Sequence, residues 1–295
     1  FSSRRRHTRY ISVTGVQTCA LPISGTPEVK ARVFTAEADQ IEELRFTNAK
    51  GETSRVEKAN GEWKLVEPEA TEADQGQVSN VASSLATLEI SRVVEEAPTD
   101  LGLYGLRAPK ADVAFRLKGQ KDLRHLFIGD ETSTGGDMYA KVADAPRGFL
   151  IAAYLGNTFN RSAFDLRDKS VMRFEPDKVD TITITRGAST LQLHKTQGEW
   201  RLTKPYAARA DFAASSAILT NLSSAQMQKI VAPTVEDPGR YGFDKPRTTV
   251  ELTGGRNTST LIIGSKGEEG TFARNTSRPL AFTVLDTLPT DLEKG

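Results

Sequence analysis

The sequence contains little of what a thiol-based or imidazole-based site needs. Of its 295 residues, one is cysteine and three are histidine. The cysteine, Cys19, lies in an amino-terminal segment that is set aside below. Without it the chain cannot form a disulfide, supply a thiolate nucleophile or build a cysteine-ligated metal site. His125 and His194 are the histidines that remain outside that segment.

Long apolar runs and an excess of one charge are also missing. No apolar stretch approaches the roughly 20 residues that a membrane-spanning helix needs. Charged residues make up 26% of the chain with both signs mixed, and the formal net charge is +1. This balance is typical of an ordinary protein surface and gives no reason to expect nucleic acid as a partner.

The amino-terminal segment, residues 1–24, carries four arginines and no acidic residue. A secretory signal needs roughly 7–15 consecutive apolar residues after its basic part, whereas polar residues and Pro22 interrupt the stretch from Ile11 to Ile23. A phosphate-binding arm is not supported by aromatic or helical spacing, and the residues before Cys19 do not fit a lipoprotein signal.

Back-translation of this segment gives a better interpretation. SRRRHTRY and VTGVQTCALPIS resemble, in order, the two constant parts of a short-read sequencing adapter. We therefore interpret residues 1–24 as a disordered, adapter-derived artefact and exclude them from the fold. Without its four arginines the chain has 35 basic and 38 acidic residues, so the formal charge becomes 35 − 38 = −3.

The remaining sequence contains an internal duplication. GEWKLVEP at Gly61 recurs as GEWRLTKP at Gly198, and DLGLYGLRAP recurs as DPGRYGFDKP, both 137 residues later. An ungapped alignment of residues 61–113 with 198–250 is identical at 17 of 53 positions. The chain therefore consists of two copies of one module.

Each copy predicts a sheet covered by a helix. IEELRFTN and VDTITIT alternate apolar and polar residues, as half-buried strands do, and Asn60-Gly61 predicts a hairpin turn. Asp74 and Asp211 occupy matching positions as helix N-caps, and apolar residues follow them at helical spacing. We expect an α+β fold in which each copy has about seven mainly antiparallel strands and one principal covering helix.

These patterns divide the chain into repeat module 1 at residues 33–158, a linker at 159–178 and repeat module 2 at 179–295. The second copy stops where the first enters its linker, which leads us to expect a truncated carboxyl terminus.

From Val33 to its end, the chain resembles a bacterial family known as DUF4340, a domain of unknown function. The resemblance rests on the GEW.L..P strand, the Ala-Asp helix start, the YGL..P and YGF..P turns, the Ile-Gly strand end and the LRDK linker. It implies a membrane-anchored accessory protein, since family members begin with one transmembrane helix and place the repeats outside the cytoplasm. Their genes often lie beside gliding-motility-type ABC transporter genes, so the implied protein partners are ABC transporter components. The anchor would be an amino-terminal helix missing here, and the family supplies no catalytic residues.

Four aromatic residues in the repeated motifs are candidates for ligand contact, the two tryptophans by stacking and the two tyrosines as a clamp. Trp63 and Trp200 could contact a sugar or a peptide, and Tyr104 and Tyr241 precede glycines in a turn. A large aromatic residue at a fixed strand position more often packs in the core, and a tyrosine beside a glycine more often holds a turn. We predict core and turn roles for these four residues.

The polar motifs do not predict a catalytic or metal site. His125 and His194 lie on non-equivalent strands, and the sequence has neither the close histidine pairs of a metal site nor a GxSxG motif. The loop Gly129–Asp137 carries three acids but lacks the spacing of a calcium loop and the lysine of a phosphate loop. We predict exposed strand histidines, a surface hairpin loop and no catalytic, cofactor-binding or metal-binding residues.

The charged motif DLRDK at Asp165–Lys169 is the remaining candidate. We predict that Arg167 pairs with Asp165 or Asp168 and holds the linker between the modules. Partner binding is the alternative role for this cluster.

Together these inferences favour a non-enzymatic, extracytoplasmic, membrane-tethered protein that binds a component of an ABC transport system. Two other classes stay open. A glycan- or cell-wall-binding module would show exposed aromatic residues in a groove. A hydrolase would show converging carboxylates or a Ser/His pair around His194 or Asp137. The sequence does not predict the oligomeric state.

Overall fold

A computed structural model describes residues 31–293 of the chain. The interpretation of residues 1–24 therefore concerns residues outside the described range. Residues 31–293 form two tandem modules, each built on a nine-stranded antiparallel sheet and a helix. The predicted α+β fold with two copies of one antiparallel module is confirmed, with nine strands per module where about seven were expected.

The first module consists of two meanders joined side by side. In chain order its elements are β1 (Ile41–Asn48), β2 (Thr53–Ala59), β3 (Glu62–Glu67), β4 (Thr71–Glu72), α1 (Gln75–Ala86), β5 (Arg92–Glu95), β6 (Ala111–Leu117), β7 (Arg124–Glu131), β8 (Asp137–Val142), β9 (Gly148–Ala152), α2 (Tyr154–Phe159) and α3 (Ala163–Leu166). The sheet order is β4-β3-β2-β1-β6-β7-β8-β9-β5. Because α1 connects β4 to β5, it carries the chain from one edge of the sheet to the other and covers one face.

The second module repeats this arrangement. Its elements are β10 (Thr181–Arg186), β11 (Ser189–Thr196), β12 (Glu199–Lys204), β13 (Ala208–Arg209), α4 (Phe212–Ser224), β14 (Lys229–Ala232), β15 (Thr248–Gly254), β16 (Asn257–Gly267), β17 (Gly270–Asn275), β18 (Ala281–Val284) and α5 (Thr287–Glu293). The order β13-β12-β11-β10-β15-β16-β17-β18-β14 matches that of the first sheet strand for strand. Helix α5 corresponds to α2, whereas α3 has no counterpart within residues 31–293.

Both covering helices begin where the sequence predicts. The side chain of Asp74 accepts a hydrogen bond from the backbone N–H of Gln77 at 3.0 Å, and that of Asp211 accepts one from Ala214 at 2.8 Å. These caps satisfy N–H groups that the first turn of a helix leaves without partners. The helices then bury one apolar face on the sheet, of which Leu85 is an example.

The repeated Tyr-Gly and Ile-Gly motifs pack against each other. Gly105 ends a 3₁₀ turn, Leu101–Tyr104, with a φ of 65° that favours glycine. A Cβ added at Gly129, in β7, would overlap the carbonyl oxygen of Tyr104, and one added at Gly264 would overlap that of Tyr241. Both modules therefore need a glycine at the strand position that the turn approaches.

We predict that G129A lowers the free energy of unfolding by about 1–3 kcal/mol, because the added methyl group forces the turn away from β7. Urea unfolding followed by tryptophan fluorescence would measure this change. G76A is a suitable control, since a Cβ there meets only the Asp74 carboxylate, at 3.4 Å. We expect that variant to keep or gain up to about 1 kcal/mol; equal stability of the two variants would contradict the prediction.

Candidate functional site

The segment between the modules concentrates the polar contacts that join distant parts of the chain. Helix α3 begins with a capping box in which the Ser162 and Asp165 side chains each accept a hydrogen bond from the other residue's backbone N–H. Asp165 is therefore turned toward the start of its own helix. Arg167 instead donates to Glu69 at 2.8 Å. The prediction that Arg167 pairs with Asp165 or Asp168 is wrong, because both carboxylates are held by other groups.

The end of α3 closes the free edge of β4. The N–H of Asp74 donates to the carbonyl of Leu166 at 2.8 Å, and the N–H of Asp168 donates to the carbonyl of Glu72 at 2.9 Å. Ala73 and Arg167 form the bridge between these bonds. Leu166 is fully buried. Its apolar side chain therefore covers the same sheet edge whose backbone groups are paired by these hydrogen bonds.

Asp168 connects this edge to the second module. One carboxylate oxygen accepts from the N–H of Ser170 at 3.0 Å, and the other accepts from Arg173 at 2.6 Å and Arg278 at 3.3 Å. Arg278 precedes β18 and also donates to the carbonyl of Ser170 at 3.0 Å. The two modules are thus joined through one carboxylate with two guanidinium partners.

The surroundings of Asp168 favour its charged form. Burial alone would raise the pKa of this carboxyl, but hydrogen bonds from Ser170 and the charge of Arg173 lower it below the ordinary value. A group whose pKa is lowered by folding stabilises the fold above its unfolded pKa of about 3.9. That stabilisation is lost as the pH falls through the folded value.

The residues after Asp168 start the second module. The N–H of Val171 donates to the carbonyl of Ala225 at 3.1 Å, as the N–H of Val33 donates to that of Leu88 at 2.8 Å in the first module. The segment placed in the linker at 159–178 therefore contributes side chains to both cores. Those in the first core are Phe159 and Leu166, and those in the second include Val171 and Met172.

The aromatic candidates occupy the predicted structural positions. Trp63 and Trp200 are 3% and 4% exposed, so neither offers a stacking surface. Tyr241 is buried between Phe243 and Phe272. Its counterpart, Tyr104, is half-buried and donates its hydroxyl to Glu95 at 2.7 Å; this hydrogen bond raises the pKa of Tyr104.

The two histidines lie in different sheets and have different partners. His194 is exposed, as predicted, and lies 3.0 Å from the Thr181 hydroxyl. His125 is only half-exposed, because it lies 3.0 Å from Asp112 and stacks on Phe127. Among the described residues, no hydroxyl group is hydrogen-bonded to His125, so the pair with Asp112 is not extended to a nucleophile.

The acidic loops of the two copies contribute ion pairs rather than a shared cluster. Asp130 lies 3.0 Å from Lys110 in the first copy, and Glu269 lies 2.5 Å from Lys229 in the second. Within residues 31–293, no group of three or more His, Cys, Asp or Glu side chains could hold a metal ion. Within the same range, no helix has the length and hydropathy needed to cross a membrane.

A surface cavity of about 450 Å³ lies where the second module begins, between the 3₁₀ helix at Pro176–Lys178 and the sheet. Its polar lining includes Arg173, Glu175 and Lys178, of which Glu175 and Lys178 are paired at 2.7 Å. Arg173 forms an ion pair with Asp168. These side chains are held in structural pairs and do not converge on the cavity as a reactive group would.

Comparison with known protein families identifies the family of this chain. Residues 63–199 and 200–294 each match the family described as Domain of unknown function (DUF4340). The chain belongs to the DUF4340 family. No curated protein matches it, and no solved structure matches it.

The two DUF4340 matches begin at equivalent points, since Trp63 and Trp200 are 137 residues apart. The first match starts in β3 and the second in β12, so neither starts at the first strand of a module. The first match runs to residue 199 and includes β10 and β11 of the second module. The sequence unit of the DUF4340 repeat is thus shifted relative to the structural unit, which begins before β1.

We predict that D168N lowers the free energy of unfolding by about 1–3 kcal/mol at pH 7, because hydrogen bonds to a charged group are lost. The loss should begin to shrink below about pH 4, where Asp168 of the unfolded chain takes up a proton, and should continue to shrink as the pH falls through the lower pKa of the folded state. Urea unfolding between pH 7 and pH 3 would test both statements.

The matched control for this prediction is D177N, which changes an exposed aspartate near the same segment. We expect it to follow the native protein across the pH range. A difference between native protein and D168N that is the same at pH 7 and pH 3 would show that the charge of Asp168 is not what joins the modules.

Proposed function

We propose that this DUF4340 protein is a non-enzymatic binding protein, tethered to the membrane with its modules on the extracytoplasmic side, and an accessory component of an ABC transport system. The link with ABC transport and the membrane tether come from the family resemblance. Binding is supported by the structure of the second module.

The observation that carries the binding role is a pair of exposed aromatic residues in the second module. Tyr206 and Phe212, on either side of the edge strand β13 in the chain, are 66% and 70% exposed. Exposed aromatic residues beside a sheet edge are typical of protein interaction sites.

The alternatives receive less support from the described residues. A carbohydrate platform built on the repeated tryptophans is disfavoured by their burial. A hydrolase centred on His194 is disfavoured because the neighbouring Thr181 hydroxyl donates its hydrogen bond to Asp180 at 2.9 Å, so its proton is not directed at the histidine. The acidic residues around Asp137 form no converging pair, since Asp130 points to Lys110.

We predict that the protein, expressed from its own gene in its bacterial host, copurifies with the membrane and ATP-binding subunits of an ABC transporter after mild detergent extraction. Protease added to spheroplasts should digest the DUF4340 modules and leave a cytoplasmic control protein intact. Quantitative mass spectrometry of the purified complex would measure the first outcome, with an unrelated membrane-anchored extracytoplasmic protein as its control. Protection from protease, or transporter subunits no more abundant than in that control, would contradict the proposal.

A further inference from the structure

A surface cavity of the first module lies between helix α2 and the strands β6, β7 and β8. Its volume is about 430 Å³, which is within the range of small-molecule sites, roughly 300–1,000 Å³. The apolar part of its lining includes Ala111, Ile128 and Met138, and polar side chains stand around them. An apolar floor with a few polar groups is typical of a ligand-binding site.

Helix α2 and its C-cap supply three polar side chains to this cavity. Tyr154, Asn157 and Asn160 follow one another at intervals of three residues, and all three line it. Residues three apart lie on the same face of a helix. Leu155 and Phe159 are instead buried in the core of the module. The sequence YLGNTFN therefore gives this short helix one face in the core and another on the cavity.

The glycine-rich loop Gly129–Asp137 forms the facing rim. Glu131 lines the cavity from this side. The N–H of Ala153 donates to the carbonyl of Gly136 at 2.9 Å, which ties the loop to the start of α2. The acidic loop and the polar face of α2 therefore belong to one site.

In the second module the residues at the same positions bind one another. They form two ion pairs, Arg247–Glu293 at 2.6 Å and Lys266–Asp286 at 2.6 Å. Glu293 takes the position of Asn160 when α5 is aligned with α2, and Lys266 takes that of Glu131 in the strand register. The second copy thus satisfies these charged groups within its own chain.

The first module leaves its polar groups at these positions without side-chain partners. Within residues 31–293, the side chains of Glu131, Asn157 and Asn160 form neither hydrogen bonds nor ion pairs. The ring of Tyr154 is 73% exposed, although it borders the cavity. Two amides, one carboxylate and one aromatic ring are therefore available to a ligand.

These groups determine which ligand chemistry fits. Each amide offers both donors and an acceptor, and a hydroxyl group can answer either because it donates and accepts. A purely anionic ligand is not favoured, because Lys110 at the rim is paired with Asp130 at 3.0 Å and Glu131 is acidic. A tyrosine ring combines a large apolar face with a polar end, so it can pack against the C–H face of a sugar ring.

We propose that this cavity of the first module binds a sugar unit of an uncharged glycan. The Tyr154 ring packs on the apolar face of the sugar, and Asn157, Asn160 and Glu131 bind its hydroxyl groups. The buried tryptophans disfavour a carbohydrate platform shared by both copies, whereas this site belongs to the first copy. The inference goes beyond the proposed function, since binding of a sugar does not require a transporter.

Binding to defined sugars tests the proposal directly. The full chain, labelled with a fluorophore, is applied to an array of uncharged oligosaccharides built from glucose, galactose, mannose and N-acetylglucosamine. The array also carries a cationic glucosamine trimer and an anionic galacturonate trimer. We expect saturable binding to at least one uncharged sugar, confirmed in solution by calorimetric titration. Absence of binding to every uncharged sugar would overturn the proposal.

Two variants with matched controls locate the sugar in the cavity. Y154A should weaken binding at least tenfold, whereas Y206A, which removes an exposed tyrosine of the second module, should bind like the native chain. N157D keeps the shape of the side chain but loses its N–H donors, and it should weaken binding at least fivefold. Its control is N80D, at an exposed position of α1. Variants and controls that bind equally well would contradict the assignment.

A residue exchanged between the copies tests why the first cavity is free. N160E introduces the acidic residue of the second copy, and its carboxylate should pair with Lys110 as Glu293 pairs with Arg247. We expect binding of the sugar to fall at least tenfold while the free energy of unfolding stays equal or rises. Native affinity in N160E would overturn the role of Asn160 in the site.

Other ligands and the proposed transport role give separate results. Tighter binding of either charged trimer than of every uncharged sugar would assign the cavity to an ionic ligand and overturn the proposal. Sugar binding without transporter copurification would reject the transport role and retain this inference. Copurification by a chain that binds no sugar would reject this inference and retain the role.

Discussion

Two hydrogen bonds between Leu166–Asp168 and the strand end at Glu72–Asp74 determine how the modules of this protein are joined. A sheet edge offers unpaired N–H and carbonyl groups that a protein must pair, cover or leave to solvent. The first module pairs them with the residues that lead into the second. The segment after this pairing therefore starts close to the first sheet. There the Asp168 carboxylate accepts hydrogen bonds from Arg173 and Arg278. The same short segment therefore closes the edge of the first sheet and joins the two modules.

The repeated motifs gain a physical meaning from their contacts. Gly61 and Gly198 occupy positive-φ positions in equivalent hairpin turns. The turn at Gly105 approaches β7 so closely that Gly129 has no room for a side chain. Trp63 and Trp200 are buried in the cores of their modules. These positions maintain the shape of the module in both copies.

Local patterns predicted the elements that local forces determine. The alternation of IEELRFTN marked β1, and Asp74 and Asp211 marked both helix starts. Strand β4 escaped prediction because two residues carry no periodicity. The pairing of Arg167 with Glu69 joins residues 98 apart, and that of Asp168 with Arg278 joins residues 110 apart. Neighbouring opposite charges in DLRDK therefore suggested the wrong partner: sequence proximity does not show which way a short helix turns its side chains.

The shared segment gives the repeat a direction. The first copy is closed by Leu166–Asp168, the residues that lead into the second copy and lie along its short edge strand. Cover and covered edge therefore follow the order of the chain, since the preceding sheet is closed by residues that come after it. Because one segment both protects the edge of the first sheet and leads into the second core, the stabilities of the two modules are coupled through it.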